Sequence, residues 1–253
     1  MIEDFKLGCR LPQTPRFAEV PTWADANDLI PESDWHMHDD FAPFDVPVRK
    51  QNYNNCTNAA LAGAAECLIS AQRGERVSLS MSMLYALCNG GVDEGAFCRD
   101  LALKFMRLGL CLESLWPEEI VTTRTEPSAE VLASAAQYRG FEMYQVRSWE
   151  EYGSALTRRF VLYHGFMLGS AFMRGVPATG IVPPYDGVLA NGHAMYSRGL
   201  TEIAGVKRGI CVNSWGRQWG RGGLCYLDRS YFWHQRGSWM NLDCLAIRSV
   251  RQS

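Results

Sequence analysis

From Asn55 onward, small and apolar residues recur at steps of three and four. Ala60, Gly63, Ala64, Cys67, Leu68 and Ala71 fall on one helical face, with Asn55 as N-cap and Gly74 as the stop. Cys56 then takes the first helical position. A mid-helix glycine costs about 1 kcal/mol relative to alanine, so Gly63 on the small-residue face predicts another element packed closely there. Further helices are predicted over about Leu79 to Cys88, over about Glu94 to Leu108 with Gly109 as its end, and in SAEVLASAAQ from near Ser128. SWEEYGSALTRR predicts a surface helix leading out of this region.

After about Tyr144 the pattern changes to short apolar runs bounded by Gly, Pro and Asn: Phe160–Phe172, His193–Leu200, Arg208–Trp215, Gly223–Leu227 and Leu242–Ile247. Strands are expected there. Residues 1–45, rich in Pro, Asp and Trp, have little periodicity and predict a wrapping arm. The expected organisation is α+β: an N-terminal arm (1–45), a mainly helical half (46–145) and a β half (146–253). No internal repeat is evident.

Composition narrows the function classes. Hydrophobic content is 47%, charged content 21% and net charge −2, ordinary for a globular protein and without a disordered tract. No basic cluster attracts phosphates or anionic lipid, so neither nucleic acid nor a membrane surface is an expected partner. The acidic start MIEDFKLGCR lacks the features of a signal peptide, and Phe160–Phe172, interrupted by His164, is far short of the roughly 20 residues that cross a bilayer. A cytoplasmic location, or incorporation in a virion or other large particle, is the expectation. Nine cysteines without a CxxC pair argue against structural zinc, and several lie in apolar stretches where reduced cysteine packs as a small hydrophobe.

Cys56, His193 and Asn213 carry the candidate chemistry. Attack by sulfur on a carbonyl needs thiolate, and an ordinary cysteine supplies only a few per cent of it at neutral pH. A helix N-terminus and an adjacent imidazolium both lower a thiol pKa. Cys56 meets the first condition, and His193 would supply the second, later protonating a leaving amine. Asn213 would orient the ring, and Trp215 would cover their hydrogen bond. An oxyanion needs two donors: the Cys56 backbone N–H, free at the helix start, and a side-chain amide, for which Gln51 is within reach. Gly192 and Ala194 flank His193 and leave room for an apolar substrate side chain. The chemistry calls for no metal or organic cofactor. In WHMHDD, His36 and His38 beside two carboxylates offer metal-type ligands, but a solvated loop is the expected reading. His164 and His234 are expected to satisfy local hydrogen bonds.

QNYNNCTNAA, LSMSMLYALCNGGVDEGAFCRDLALKFMRLGLCLESLWPEE, GHAMYSRGL and NSWGRQWGRGGLCYL together resemble the papain-like cysteine peptidases, over roughly residues 46 to 249. The 137- and 157-residue separations from Cys56 to His193 and Asn213 are those of papain and the cathepsins. The resemblance is strongest to compact bacterial and phage-type members. It implies a papain-like fold with the cleft between the helical half and a β-barrel-like half. It also implies peptide or protein substrates, and Cys56, His193, Asn213 and Gln51 as nucleophile, base, orienter and oxyanion donor. Substrate backbone would lie on Gly90 and Gly91, or on Gly95. Five positions separate Gln51 from Cys56 where the family has six, which leaves Lys50 as an alternative at the oxyanion position. Thr57 replaces a frequent tryptophan, and Tyr53 a frequent disulfide cysteine. Only 50 residues precede Gln51, so inhibition by a separately folded propeptide is not expected.

Two other functions share this framework. One is a non-catalytic component of a large assembly such as a phage virion, held to its partners through the N-terminal arm. The other is a transferase that passes the acyl group from the same thioester to an amine.

Overall fold

The structure, a computed structural model, describes residues 6–10, 19–44, 48–123, 126–187, 189–232 and 241–249. Among these residues, six strands form one antiparallel sheet: β1 (Phe141–Gln145), β2 (Val161–Gly169), β3 (Leu189–Ile203), β4 (Val206–Val212), β5 (Leu224–Leu227) and β6 (Asn241–Ser249), in the spatial order β1-β6-β2-β3-β4-β5. The sheet is open. Seven α-helices accompany it among the described residues: α1 (Trp23–Ala26), α2 (Cys56–Arg73), α3 (Met83–Asn89), α4 (Cys98–Leu108), α5 (Ala129–Ala136), α6 (Trp149–Thr157) and α7 (Ser170–Met173).

Alternation along the strands divides the core into two layers. Val161 and Tyr163 of β2, with Ala194 and Tyr196 of β3, join α2 to α5 on one face. Leu162, Phe166 and Leu168 of β2, with Met195 of β3, join α6 and the tryptophans of the arm on the other. Burial on both faces explains why VLYHGFML reads as a nearly continuous apolar run. The arm wraps the second face: Trp23 meets Phe160 edge-on at 5.0 Å, and Gln145 N–H donates to Pro21 at 2.8 Å.

α2 begins at Cys56, as the periodicity predicts, and its closely packed neighbour is β3: a Cβ on Gly63 would lie 2.4 Å from Tyr196 Cε1. Asn55 occupies the N-cap position but does not cap with its side chain, which donates instead to Met81 O and Glu118 Oε1, both at 3.0 Å. α3 starts four residues later than predicted, because Leu79 and Ser80 are held extended against Leu112 and Cys111. α4 likewise starts at Cys98, since Ala96 pairs with the N-terminal segment. The predicted surface helix is an interior one. Trp149, Tyr152, Ala155 and Leu156 of α6 are buried in the second core layer.

His38 departs from the expected solvated loop. It is buried, its backbone pairs with Leu200, and its Nε2 lies 2.8 Å from Leu156 O. His36 stacks on it at 5.4 Å, and among the described residues no group of three or more His, Cys, Asp or Glu is arranged to hold a metal ion. His164 hydrogen-bonds Ser197 Oγ at 2.8 Å inside the core; His234 lies outside the described residues. No helix among the described residues is long and apolar enough to cross a membrane. Among the described residues no cysteine is joined in a disulfide.

Candidate active site

The sheet sets His193 beside Asn213, and α2, which Cys56 opens, packs on the strand that carries His193. Cys56 opens α2 and is fully buried, as is His193 on β3, where it pairs with Phe166 of β2. Backbone groups of Ala194, Gly8 and Thr57 pull the Cys56 thiol pKa down, which sets the residue after His193 close to the sulfur. His193 Nε2 lies 2.8 Å from Asn213 Oδ1. The same oxygen accepts the Ser214 N–H at 2.8 Å, which identifies it as the acceptor and gives His193 the Nε2–H tautomer. His193 Nδ1 is left as a buried proton acceptor with no hydrogen-bond partner among the described residues. Trp215 covers the ring at a centroid distance of 4.5 Å.

Gln51 is buried and Lys50 exposed. Gln51 is anchored to Ser214, whose backbone oxygen accepts its N–H at 2.8 Å and whose hydroxyl donates to its Oε1. Its Nε2 donates to Tyr53 O at 2.8 Å and to Lys6 O at 3.2 Å. Lys50 forms an isolated β-bridge with Trp215. Two carboxylates that sequence reasoning missed hold the loop before Cys56. Buried Glu118 accepts from Asn52 N at 3.0 Å, Asn52 Nδ2 at 2.8 Å and Asn55 Nδ2 at 3.0 Å. Asp93 accepts from Asn54 N and from the Tyr85 hydroxyl, both at 2.8 Å, and that hydroxyl accepts the Gly95 N–H at 2.8 Å. Glu118 lies within the quoted WPEE stretch, the one sequence signal that marked it.

The site is closed by the protein's own N-terminal segment. Residues 6–10 form a strap across it: the Lys6 carbonyl accepts from Gln51 Nε2 and from Trp215 Nε1 at 3.0 Å, and Gly8 reaches Cys56. Farther along, Gly8 O accepts the Ala96 N–H at 2.7 Å and Arg10 N–H donates to Ala96 O at 2.8 Å. The Arg10 guanidinium meets Glu94 at 2.8 Å. Gly95 therefore lies against the strap, whereas Gly90 ends α3 and a Cβ on it would meet nothing within 4 Å. Gly91 continues that turn, donating to Ala86 O at 3.3 Å. Gly192 pairs with Met167 of β2 and is half-buried; Ala194 is fully buried.

Closure sets the charge state. Burial pushes the Cys56 thiol up to about 12, against the pull of Ala194, Gly8 and Thr57. Burial also lowers His193 to about 4, against the stabilising bond to Asn213. Sulfur and ring are both neutral around pH 7.

No family model matches the chain. A curated relative, a cysteine protease of Blomia tropicalis, is 28% identical over 202 residues, which cover 73% of this chain and 58% of that relative; the chain thus spans less than two thirds of its length. Among solved structures the fold is similar to xylellain, a cysteine protease from Xylella fastidiosa, with TM-score 0.73 at 18% identity over 98% of both chains. It is also similar to digestive procathepsin L2 of the Tenebrio molitor larval midgut, with TM-score 0.71 at 17% identity over 96% of this chain and 78% of that one. The chain has the papain-like fold. In sequence and architecture it resembles the papain-like cysteine proteases.

Proposed function

We propose that the chain is a cysteine peptidase that hydrolyses peptide bonds in peptides or proteins through Cys56, His193 and Asn213, with residues 6–10 holding it in a closed, resting state. The observation that carries this reading is the unpartnered Nδ1 of His193, fixed as an acceptor by the Asn213 bond, on the strand whose next residue, Ala194, acts on the Cys56 thiol at the start of α2. When the strap leaves and substrate enters, Nδ1 takes the Cys56 proton and the sulfur attacks the scissile carbonyl carbon. The oxyanion takes the place near Gln51 Nε2 and the Cys56 N–H that early helical geometry leaves free. His193 returns the proton to the leaving amine, and water then hydrolyses the thioester by the same route in reverse. The Ala96 N–H and C=O, now used by the strap, pair with substrate backbone beside Gly95. Gly192 and Ala194 bound the space next to His193, and Trp215 keeps water from the His193–Asn213 bond.

Intact-mass labelling with a mechanism-based cysteine-peptidase inhibitor tests the assignment on wild type, Cys56→Ser and His193→Ala, with peptide turnover followed in parallel. One adduct, absent from both variants, is expected. Labelling that survives His193→Ala would reduce Cys56 to an ordinary thiol, and a folded chain without label or turnover would favour the non-catalytic assembly role. Products conjugated to an added amine would mark the transferase.

A further inference from the structure

Cys9 lies on the strap, and Cys98 opens α4 two residues beyond the Ala96 to which the strap is paired. Their sulfurs are 3.7 Å apart, and both residues are buried. The β2 strand makes room for this contact: a Cβ on Gly165 would lie 2.7 Å from Cys9 Sγ and 2.8 Å from Cys98 Sγ. A glycine inside a buried strand is otherwise a loss of packing, so its place here marks a close approach. The register that sets the two thiols together is fixed on both sides, by Gly8 O and Arg10 N on Ala96 and by Arg10 on Glu94. Cys211 and Cys225, which face each other across β4 and β5, join two strands that are already paired. Cys9 and Cys98 alone among these pairs join the strap to the body of the protein.

We propose that Cys9 and Cys98 are a disulfide-forming site that, when oxidised, fastens the strap over the active-site cleft. The inference rests on the peptidase reading for its consequence, though not for its chemistry. The oxidant is a low-molecular-weight disulfide such as oxidised glutathione. With the strap lifted, the Cys9 thiolate attacks one sulfur of that disulfide, forming a mixed disulfide and releasing one thiol. On closure, the Cys98 thiolate attacks Cys9 Sγ, forming the protein disulfide and releasing the second thiol. The two protein thiols lose two electrons and two protons, and the oxidant is reduced to two thiols. Bonding requires the sulfurs to move from contact to about 2.05 Å, a change that side-chain rotation at the strap supplies. Hydrogen bonding to Cys98, together with burial, holds the Cys9 thiol well above its ordinary range in the closed state, so the first exchange belongs to the open strap.

The test uses the full chain incubated with oxidised glutathione or with dithiothreitol, then alkylated, digested without reduction and mapped by mass spectrometry. A Cys9–Cys98 linked peptide is expected. Inhibitor labelling of Cys56 should slow at least about tenfold in the oxidised chain and recover in dithiothreitol, and Cys9→Ser and Cys98→Ala should each abolish that redox dependence. Absence of the linked peptide at every glutathione ratio, or oxidation trapped on Cys56 or across Cys211 and Cys225 instead, overturns the proposal. Labelling of Cys56 in reduced protein would then still support the peptidase. Conversely, a linked peptide in a chain that never labels Cys56 retains the disulfide site and removes the peptidase reading.

Discussion

Gly8 of the strap and Asn54 of the nucleophile loop touch so closely that a Cβ on Gly8 would lie 1.7 Å from the Asn54 carbonyl oxygen. That oxygen belongs to backbone tied to Asp93, so it has little freedom to retreat. Overpacking of this kind costs about 1–3 kcal/mol or more, and each 1.4 kcal/mol is a factor of ten in an equilibrium. Gly8→Ala is therefore expected to shift the strap outward and raise the rate of Cys56 labelling at least about tenfold with the global fold unchanged. An unchanged rate would show that residues 6–10 do not limit access.

Gln51 and Lys50 separate cleanly as oxyanion candidates. In the strap-opened Gly8→Ala background, Gln51→Ala should lower kcat for a peptide substrate on the order of a hundredfold with little effect on KM, as loss of one oxyanion donor does. Lys50→Ala, at an exposed side chain, should leave kcat within about twofold. Thermal melts on both variants control for the lost Gln51–Ser214 contacts. Equal losses in the two variants would remove the assignment.

What was legible in the sequence was local or motif-borne. The α2 periodicity located Cys56 and anticipated the approach to Gly63, and the glycine-bounded apolar runs located five of the six strands. The sixth, β1, is a short edge strand with only Met143 and Gln145 buried, too little alternation to stand out. α6 looked like a surface helix because its Glu pair suggests solvent. In fact Ser148 caps Glu151 N at 3.0 Å, and the Glu151 carboxylate is satisfied by Arg147 N at 2.6 Å. The strap lies within the expected wrapping arm, but nothing in the sequence marked residues 6–10 as crossing the site. It is held by backbone bonds to Ala96, Gln51 and Trp215, contacts far apart in sequence that impose no side-chain pattern.

Acid should loosen the strap. His193 titrates near 4 when closed, below its ordinary 6.5; an open, hydrated ring beside a thiol that keeps its proton regains the higher value. The open form thus binds more protons between about pH 6.5 and 4. Closure is fully favoured above 6.5 and loses stability as pH falls through that window. Hydrogen exchange at Lys6–Arg10, corrected for its intrinsic pH dependence, is expected to quicken across it, and His193→Gln should flatten the response. A wild-type profile as flat as the variant's would disconnect His193 from closure.

Asp243 gives the opposite slope. It lies on β6 opposite Gly165, is 5% exposed, and its Oδ2 has no hydrogen-bond partner among the described residues. Burial raises its carboxyl to about 7 from an ordinary 3.8, despite the opposing pull of the Arg99 backbone and charge. The folded protein therefore holds one more proton than the unfolded chain across that interval. The associated stability is present in full below about pH 4 and lost as pH rises through 7, by on the order of 3–4 kcal/mol. Asp243→Asn keeps the shape and removes the titration. Urea midpoints at pH 4.5 and 8 should show the variant gaining on wild type only at the higher pH, a double difference that cancels groups common to both. A variant whose advantage is the same at both pH values, or that is weaker at pH 8, would mean that Asp243 is already ionised and paired in the fold.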